Sequence, residues 1–287
     1  MKKCTALFAA AALMLSLTAC GGSSDAGTTA PENNSNVEAP ADNNAGAEDA
    51  GAADVNDNAG TDEQGPEISN EEDLAMSFAE FAAADVDTEV TVTTYVQDKQ
   101  GWWENEGVGM ATFYTQDTDG GYFLYNMPCS KEDYDRIVPG TKLLVTGYKG
   151  EWSGEVEILD ATYEIIDGET FVANPVDVTD KLGDNDALAG FMNQYVTFTG
   201  LTVADRDGAS FTYGWDGSKS QGDDLYFNLS DAEGNVYTFV VESYLRGADT
   251  EVYQTVETWG IGDVVDITGF MYWYEGPQVH VTIATVK

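Results

Sequence analysis

Gly140-Thr141-Lys142-Leu143-Leu144-Val145-Thr146-Gly147-Tyr148 and Gly262-Asp263-Val264-Val265-Asp266-Ile267-Thr268-Gly269-Phe270 are one pattern written twice. Each copy is a short run rich in Leu, Val, Ile and Thr, as a strand is, and each ends in L/V-x-V/I-x-G. Working outward, Glu151-Trp152-Ser153-Gly154 matches Trp273-Tyr274-Glu275-Gly276, and each leads into an alternating run, Val156-Glu157-Ile158 or Val279-His280-Val281. Upstream, Val90-Thr91-Val92-Thr93 matches Val196-Thr197-Phe198-Thr199. Two stretches of about 100 residues, a common size for one domain, thus share a first strand and a last hairpin.

Between those ends each copy has room for two strands and a helix. Gly107 to Gln116 and Gly121 to Met127 read as strands in the first, and Ser130-Lys-Glu-Asp133 reads as a capping box that opens a helix stopped by Pro139-Gly140. Asp224 to Leu229 and Asn235 to Val241 are their counterparts in the second. There Val252, Val256 and Trp259 fall on one helical face, which makes Trp259 core. The order β-β-β-α-β-β resembles the OB-fold, a five-stranded Greek-key barrel. The expected class is all-β with short helices, two tandem OB-fold-like barrels after a disordered tether. A pair of β-sandwiches is the alternative architecture.

The N-terminus reads differently. Lys2 and Lys3 precede an apolar run, Ala6 to Leu17, too short to span a bilayer. Leu17-Thr18-Ala19-Cys20 followed by Gly21-Gly22 resembles the lipobox of bacterial lipoproteins, which implies cleavage before Cys20 and lipidation of its thiol. From Gly21 to Asn70 there is no aromatic residue, Leu, Met, Lys or Arg, so the segment cannot bury a core and is expected to be a tether. The expected organisation is a signal peptide at 1–19, an acidic linker at 20–70, a first barrel at 71–167, a connector at 168–190 and a second barrel at 191–287. With the repeat, the chain resembles bacterial surface lipoproteins carrying tandem OB-like modules. That resemblance implies a lipid-anchored protein on the extracytoplasmic face of the cell membrane. Cys129 would then have no partner in the mature chain, and a small buried hydrophobe is its expected role.

Charge and aromatic placement bear on the ligand. The 287 residues hold 12 Lys and Arg against 51 Asp and Glu, a formal net charge of −39, and no basic cluster follows Lys2-Lys3. Nucleic acid binding draws on Lys and Arg to neutralise phosphates, so nucleic acid is read as a disfavoured partner and an OB-type single-stranded nucleic-acid binder is the least favoured alternative. In an OB-fold the ligand lies over strands 2 and 3, rimmed by the loops joining strands 1 to 2 and 4 to 5. Trp102, Trp103, Trp152, Trp215 and Trp273 fall in those loops, with Tyr213, Tyr272 and Tyr274 beside them. They form the candidate aromatic rim for a neutral glycan or a peptide, or for docking an envelope protein in an assembly role. The competing reading folds the same rings back over the barrel ends as cover.

Catalysis finds little support in the sequence. There is no nucleophile elbow and no phosphate-binding G-x-x-x-x-G-K-[ST] run. The single histidine, His280, alternates with Val279 and Val281 and is expected at a solvated or edge position. Asp117-Thr-Asp119-Gly120, Asp184-Asn-Asp186 and Asp205-Arg-Asp207-Gly208 resemble fragments of calcium loops, but without the distal Glu they read as turns. The expected protein is a non-enzymatic binder with no cofactor and no metal.

Overall fold

The computed structural model describes residues 74–287, so the expected signal peptide, Cys20 and the acidic linker lie outside the described residues. The first sheet contains β1 (Glu89–Lys99), β2 (Trp103–Asn105), β3 (Val108–Gln116), β4 (Gly121–Pro128), β5 (Lys142–Trp152) and β6 (Glu155–Ile166). Its strands run in the order β1-β5-β6-β4-β3-β2, and a β1–β3 pairing closes the five long strands into a barrel. All neighbours are antiparallel except β4 and β6. Helix α2 (Lys131–Arg136) lies between β4 and β5. Its N-cap is Ser130, which accepts from the Asp133 N–H.

The second sheet repeats this plan with β8 (Tyr195–Ala204), β9 (Phe211–Tyr213), β10 (Leu225–Ser230), β11 (Val236–Val241), β12 (Val264–Phe270) and β13 (His280–Val286), flanked by a short β7 (Val176–Asp177). The order is β7-β8-β12-β13-β11-β10-β9, closed by β8–β10, with β11 and β13 parallel. Helix α4 (Glu251–Glu257) again precedes the last hairpin. Two closed five-stranded barrels with the strand order of the OB-fold result.

The repeated glycines have a physical reason. A β-bulge follows Thr146 in one barrel and Thr268 in the other. A Cβ on Gly147 would come within 2.7 Å of Ile158 and Leu159, and one on Gly269 within 2.2 Å of the His280 carbonyl oxygen. Only glycine lets the neighbouring strand pass so close.

Each barrel has its own core. Val92, Phe113, Leu124, Leu143, Val145 and Ile158 are among the buried residues of the first. Phe198, Phe227, Phe239, Val265, Ile267 and Trp259 are among those of the second, and Trp259 is 4% exposed, as its helical spacing predicts. Helix α1 (Phe78–Ala83), which the sequence reading did not include, packs Phe78 and Phe81 against Tyr122 of the first barrel. A full capping box between Ser77 and Glu80 starts it. The Lys149 ammonium ends it by donating to the carbonyls of Phe81, Ala82 and Ala84 at 2.7–3.0 Å.

A third buried cluster belongs to neither barrel alone. Tyr114 and Phe123 of the first sheet meet Leu245 and Phe270 of the second, with Tyr195 and Tyr272 against them. Hydrogen bonds cross the same seam: the Tyr195 N–H donates to the Gln116 side chain, the Trp273 N–H to Glu155, and the Asn193 amide to the Val156 carbonyl. The Arg246 guanidinium pairs with Asp98. Gly121 is pressed against Asn193, where a Cβ would lie 2.3 Å from backbone.

His280 corrects an expectation. Its side chain does point away from the Val281 side of β13, but the outer side of that strand is covered by the first barrel. It is therefore buried, with Nδ1 2.6 Å from the Tyr114 hydroxyl. Burial draws its pKa down to about 3. Cys129 is buried and free as expected, and burial raises its thiol pKa.

Candidate functional site

The last hairpin of each barrel turns through an equivalent pair of left-handed residues, Ser153-Gly154 in one and Glu275-Gly276 in the other. The residues just before these turns, Trp152 and Tyr274, therefore occupy matching positions. The two hairpins touch: the Glu275 N–H donates to the Ser153 carbonyl at 2.8 Å, and the Trp273 ring lies over Gly154. Trp152 and Tyr274 pack at 5.1 Å between ring centroids and remain 47% and 42% exposed. One exposed aromatic ledge is thus built half from each barrel.

A second exposed ring, Trp215, stands on the loop between β9 and β10, 62% exposed and edge-on to Tyr226 of β10 at 5.4 Å. Beneath both lies the guanidinium of Arg206, 5.0 Å from the Trp215 ring and 5.5 Å from that of Tyr226. Three neutral oxygens hold it, those of Thr212, Asn228 and the Trp215 carbonyl. A tight turn through Asp207 and Gly208, both at positive φ, places Arg206 here, and Asp205 accepts the Gly208 N–H. Burial lowers the Arg206 pKa and raises that of Tyr226 to about 12, the latter helped by the nearby charges of Asp224 and Glu242.

The other predicted rim residues make separate contacts. Trp103 is exposed on β2, while half-buried Trp102 donates its indole N–H to the Cys129 carbonyl and packs against Gly109. No ring contact joins either to Trp152 among the described residues. Tyr213 stacks on Tyr253 and donates to Glu257. Tyr272 lies in the seam, stacked on His280 at 4.3 Å. Sequence reasoning missed Arg206 and Tyr226. The alternation Leu225-Tyr226-Phe227, on a strand expected to face a ligand, was the available signal for Tyr226.

The Asp-rich segments form turns. Asp117 accepts from the N–H groups of Asp119 and Gly120, and Asp184 caps α3 (Asn185–Ala189) by accepting the Ala187 N–H. Among the described residues no group of three or more His, Cys, Asp or Glu side chains is placed to hold a metal ion.

No protein family matches this chain. No curated protein is similar to it. Among solved structures it is similar to a murine DNA binding protein bound with double-stranded DNA, at 11% identity and a TM-score of 0.33, over 68% of this chain and 94% of that one. It is also similar to the Ifi202 HINa domain in complex with 20-bp double-stranded DNA, at 11% identity and a TM-score of 0.31, over 70% of this chain and 96% of the other. A third is a replication protein A heterotrimer bound to single-stranded DNA, at 12% identity and a TM-score of 0.30, over 72% and 50%. The likeness is one of fold. Net charge made nucleic acid a disfavoured partner, and that expectation is corrected: the three similar structures are of proteins bound to DNA.

Proposed function

We propose that this chain is a non-catalytic binding protein that stacks the rings of a neutral glycan or a peptide on the aromatic face formed by Trp152, Tyr274, Trp215 and Tyr226. It acts from the extracytoplasmic side of a membrane, anchored through a lipid on Cys20. The observation that carries the reading is the Trp152–Tyr274 ledge, two exposed rings in contact and contributed by different barrels. Exposed rings in contact offer flat apolar area at little cost in side-chain entropy. A glycan and peptide array with the purified protein, followed by titration of the best binder against Trp152→Ala and Trp215→Ala, tests it. Each substitution should lower affinity by about 1–3 kcal/mol, the range for losing a stacking ring, with little change in melting temperature. A large loss of stability with unchanged affinity would assign the rings to barrel cover instead.

A second reading, single-stranded nucleic acid, is favoured by Arg206. A guanidinium against two rings is a stacking platform with a positive centre. Fluorescence anisotropy with a labelled oligonucleotide separates the two readings, since phosphate contacts make affinity fall steeply with salt. Salt-dependent binding that Arg206→Gln abolishes would establish the second in place of the first.

A further inference from the structure

We infer that the seam between the barrels holds a separate binding site, for the ammonium group of a primary alkylamine such as a lysyl side chain carries, with Glu157 as its counter-ion. The inference does not rest on the stacking face.

Strand β6 opens Glu155-Val156-Glu157-Ile158. Val156 and Ile158 pack on the first barrel's core, so the period of two sends Glu155 and Glu157 outward. Such a pair is ordinarily solvated, but here the second barrel covers it and the two are 0% and 7% exposed. A covered carboxylate needs a partner. Glu155 takes the Trp273 N–H on one oxygen and is steadied by the neighbouring Asn193 side chain, while its Oε1 is sealed and makes no hydrogen bond. The Asn193 side-chain oxygen is sealed and unpaired as well, its amide being committed to Val156. Glu157 makes no side-chain hydrogen bond or ion pair among the described residues, and its oxygens are not among the sealed atoms, so they remain open to solvent. The seam is therefore rich in acceptors and short of donors.

Three cations among the described residues are committed elsewhere. Lys149 holds the end of α1, Arg246 pairs with Asp98, and Arg206 sits under Trp215. What surrounds Glu157 is aromatic. Phe123 is its register partner on β4, and Tyr125, two residues on, is 39% exposed with its ring 6.3 Å from that of Phe123. Tyr272 closes the other side, 5.4 Å from Phe123. Gly150 lies beside the Glu157 stem, where a Cβ would come 3.4 Å from it and 2.6 Å from the Leu159 side chain. His280, behind Tyr272, stays neutral and does not repel a cation. Glu242, also near Tyr272, has its oxygens taken by the N–H groups of Tyr244 and Leu245 and by Gln100.

One free carboxylate flanked by ring faces suits an organic cation. It does not suit calcium, which takes six to eight oxygens. The unpaired acceptors favour a primary ammonium, which brings three N–H donors, over a quaternary head, which brings none.

The test is an NMR titration of the purified protein at pH 8 and low salt with N-acetyl-lysine methylamide, and with its neutral isostere N-acetyl-norleucine methylamide. The lysine compound should give saturable shifts at the amides of Gly150, Glu157 and Tyr272, and the norleucine compound none. Glu157→Gln should weaken binding at least 10-fold, and Tyr125→Ala, at an exposed position that leaves the fold intact, several-fold. Equal responses to the two compounds, no saturation by tens of millimolar, or unchanged binding in both variants would overturn the inference.

Discussion

Glu157 and His280 show how a side chain takes its character from what packs over it. Burial pushes Glu157 and Glu242 up to about 7 and draws His280 down to about 3. A carboxyl whose folded pKa lies above its unfolded value binds more protons when folded. Stability therefore falls as pH rises from about 4.5 to 7, by at most about 3 kcal/mol for each such group. His280 acts in the opposite sense, because its pKa is depressed and stability is lost as pH falls from 6.5 toward 3. Glu157→Gln isolates one contribution. In urea melts at pH 4.5, 6 and 8, the variant should match the wild type at the lowest pH and gain steadily on it toward pH 8. A constant difference would mean that Glu157 does not titrate in that window. The alternation of His280 with two valines was legible in the sequence. What covered its far side was not, because no strand pattern records which surface a second barrel will occupy.

At the scale of elements, the repeated endings at Gly147 and Gly269 were readable because one steric demand, a bulge beneath a close strand crossing, recurs in both barrels. Helix α1 was not read, although Ser77-x-x-Glu80 carries its capping signal. At six residues it is too short to show a period, and Lys149, which fixes its end, lies 65 or more residues away in sequence. Lys149→Met should leave three helix-end carbonyls without their donor and cost about 1–3 kcal/mol. The amides of 78–84 should then lose protection in hydrogen exchange while those of α4 keep theirs. Uniform loss across both helices would assign Lys149 a role in the stability of both barrels together.

For the whole molecule, the five barrel strands of each copy followed from the repeat, whereas the short strands β2, β7 and β9 and the seam did not. Aromatic loops and outward-facing strand residues look alike whether they meet solvent, ligand or another barrel. The shared cluster around Tyr114 and Phe270 predicts that residues 74–287 unfold in one calorimetric transition. Gly121→Ala, which forces a Cβ into the backbone at Asn193, should split it into two. Two transitions in the wild type would show that the seam adds little. The same seam places Trp152 and Tyr274 side by side, and the proposed function depends on their acting together. The decisive measurement is calorimetric titration of the best array binder into the wild type, Trp152→Ala, Tyr274→Ala and the double variant. The account predicts that each single change weakens binding by about 1–3 kcal/mol, that the double loses less than the sum because the rings share one ligand, and that melting temperatures stay close to wild type. Unchanged affinity in all three variants would contradict it.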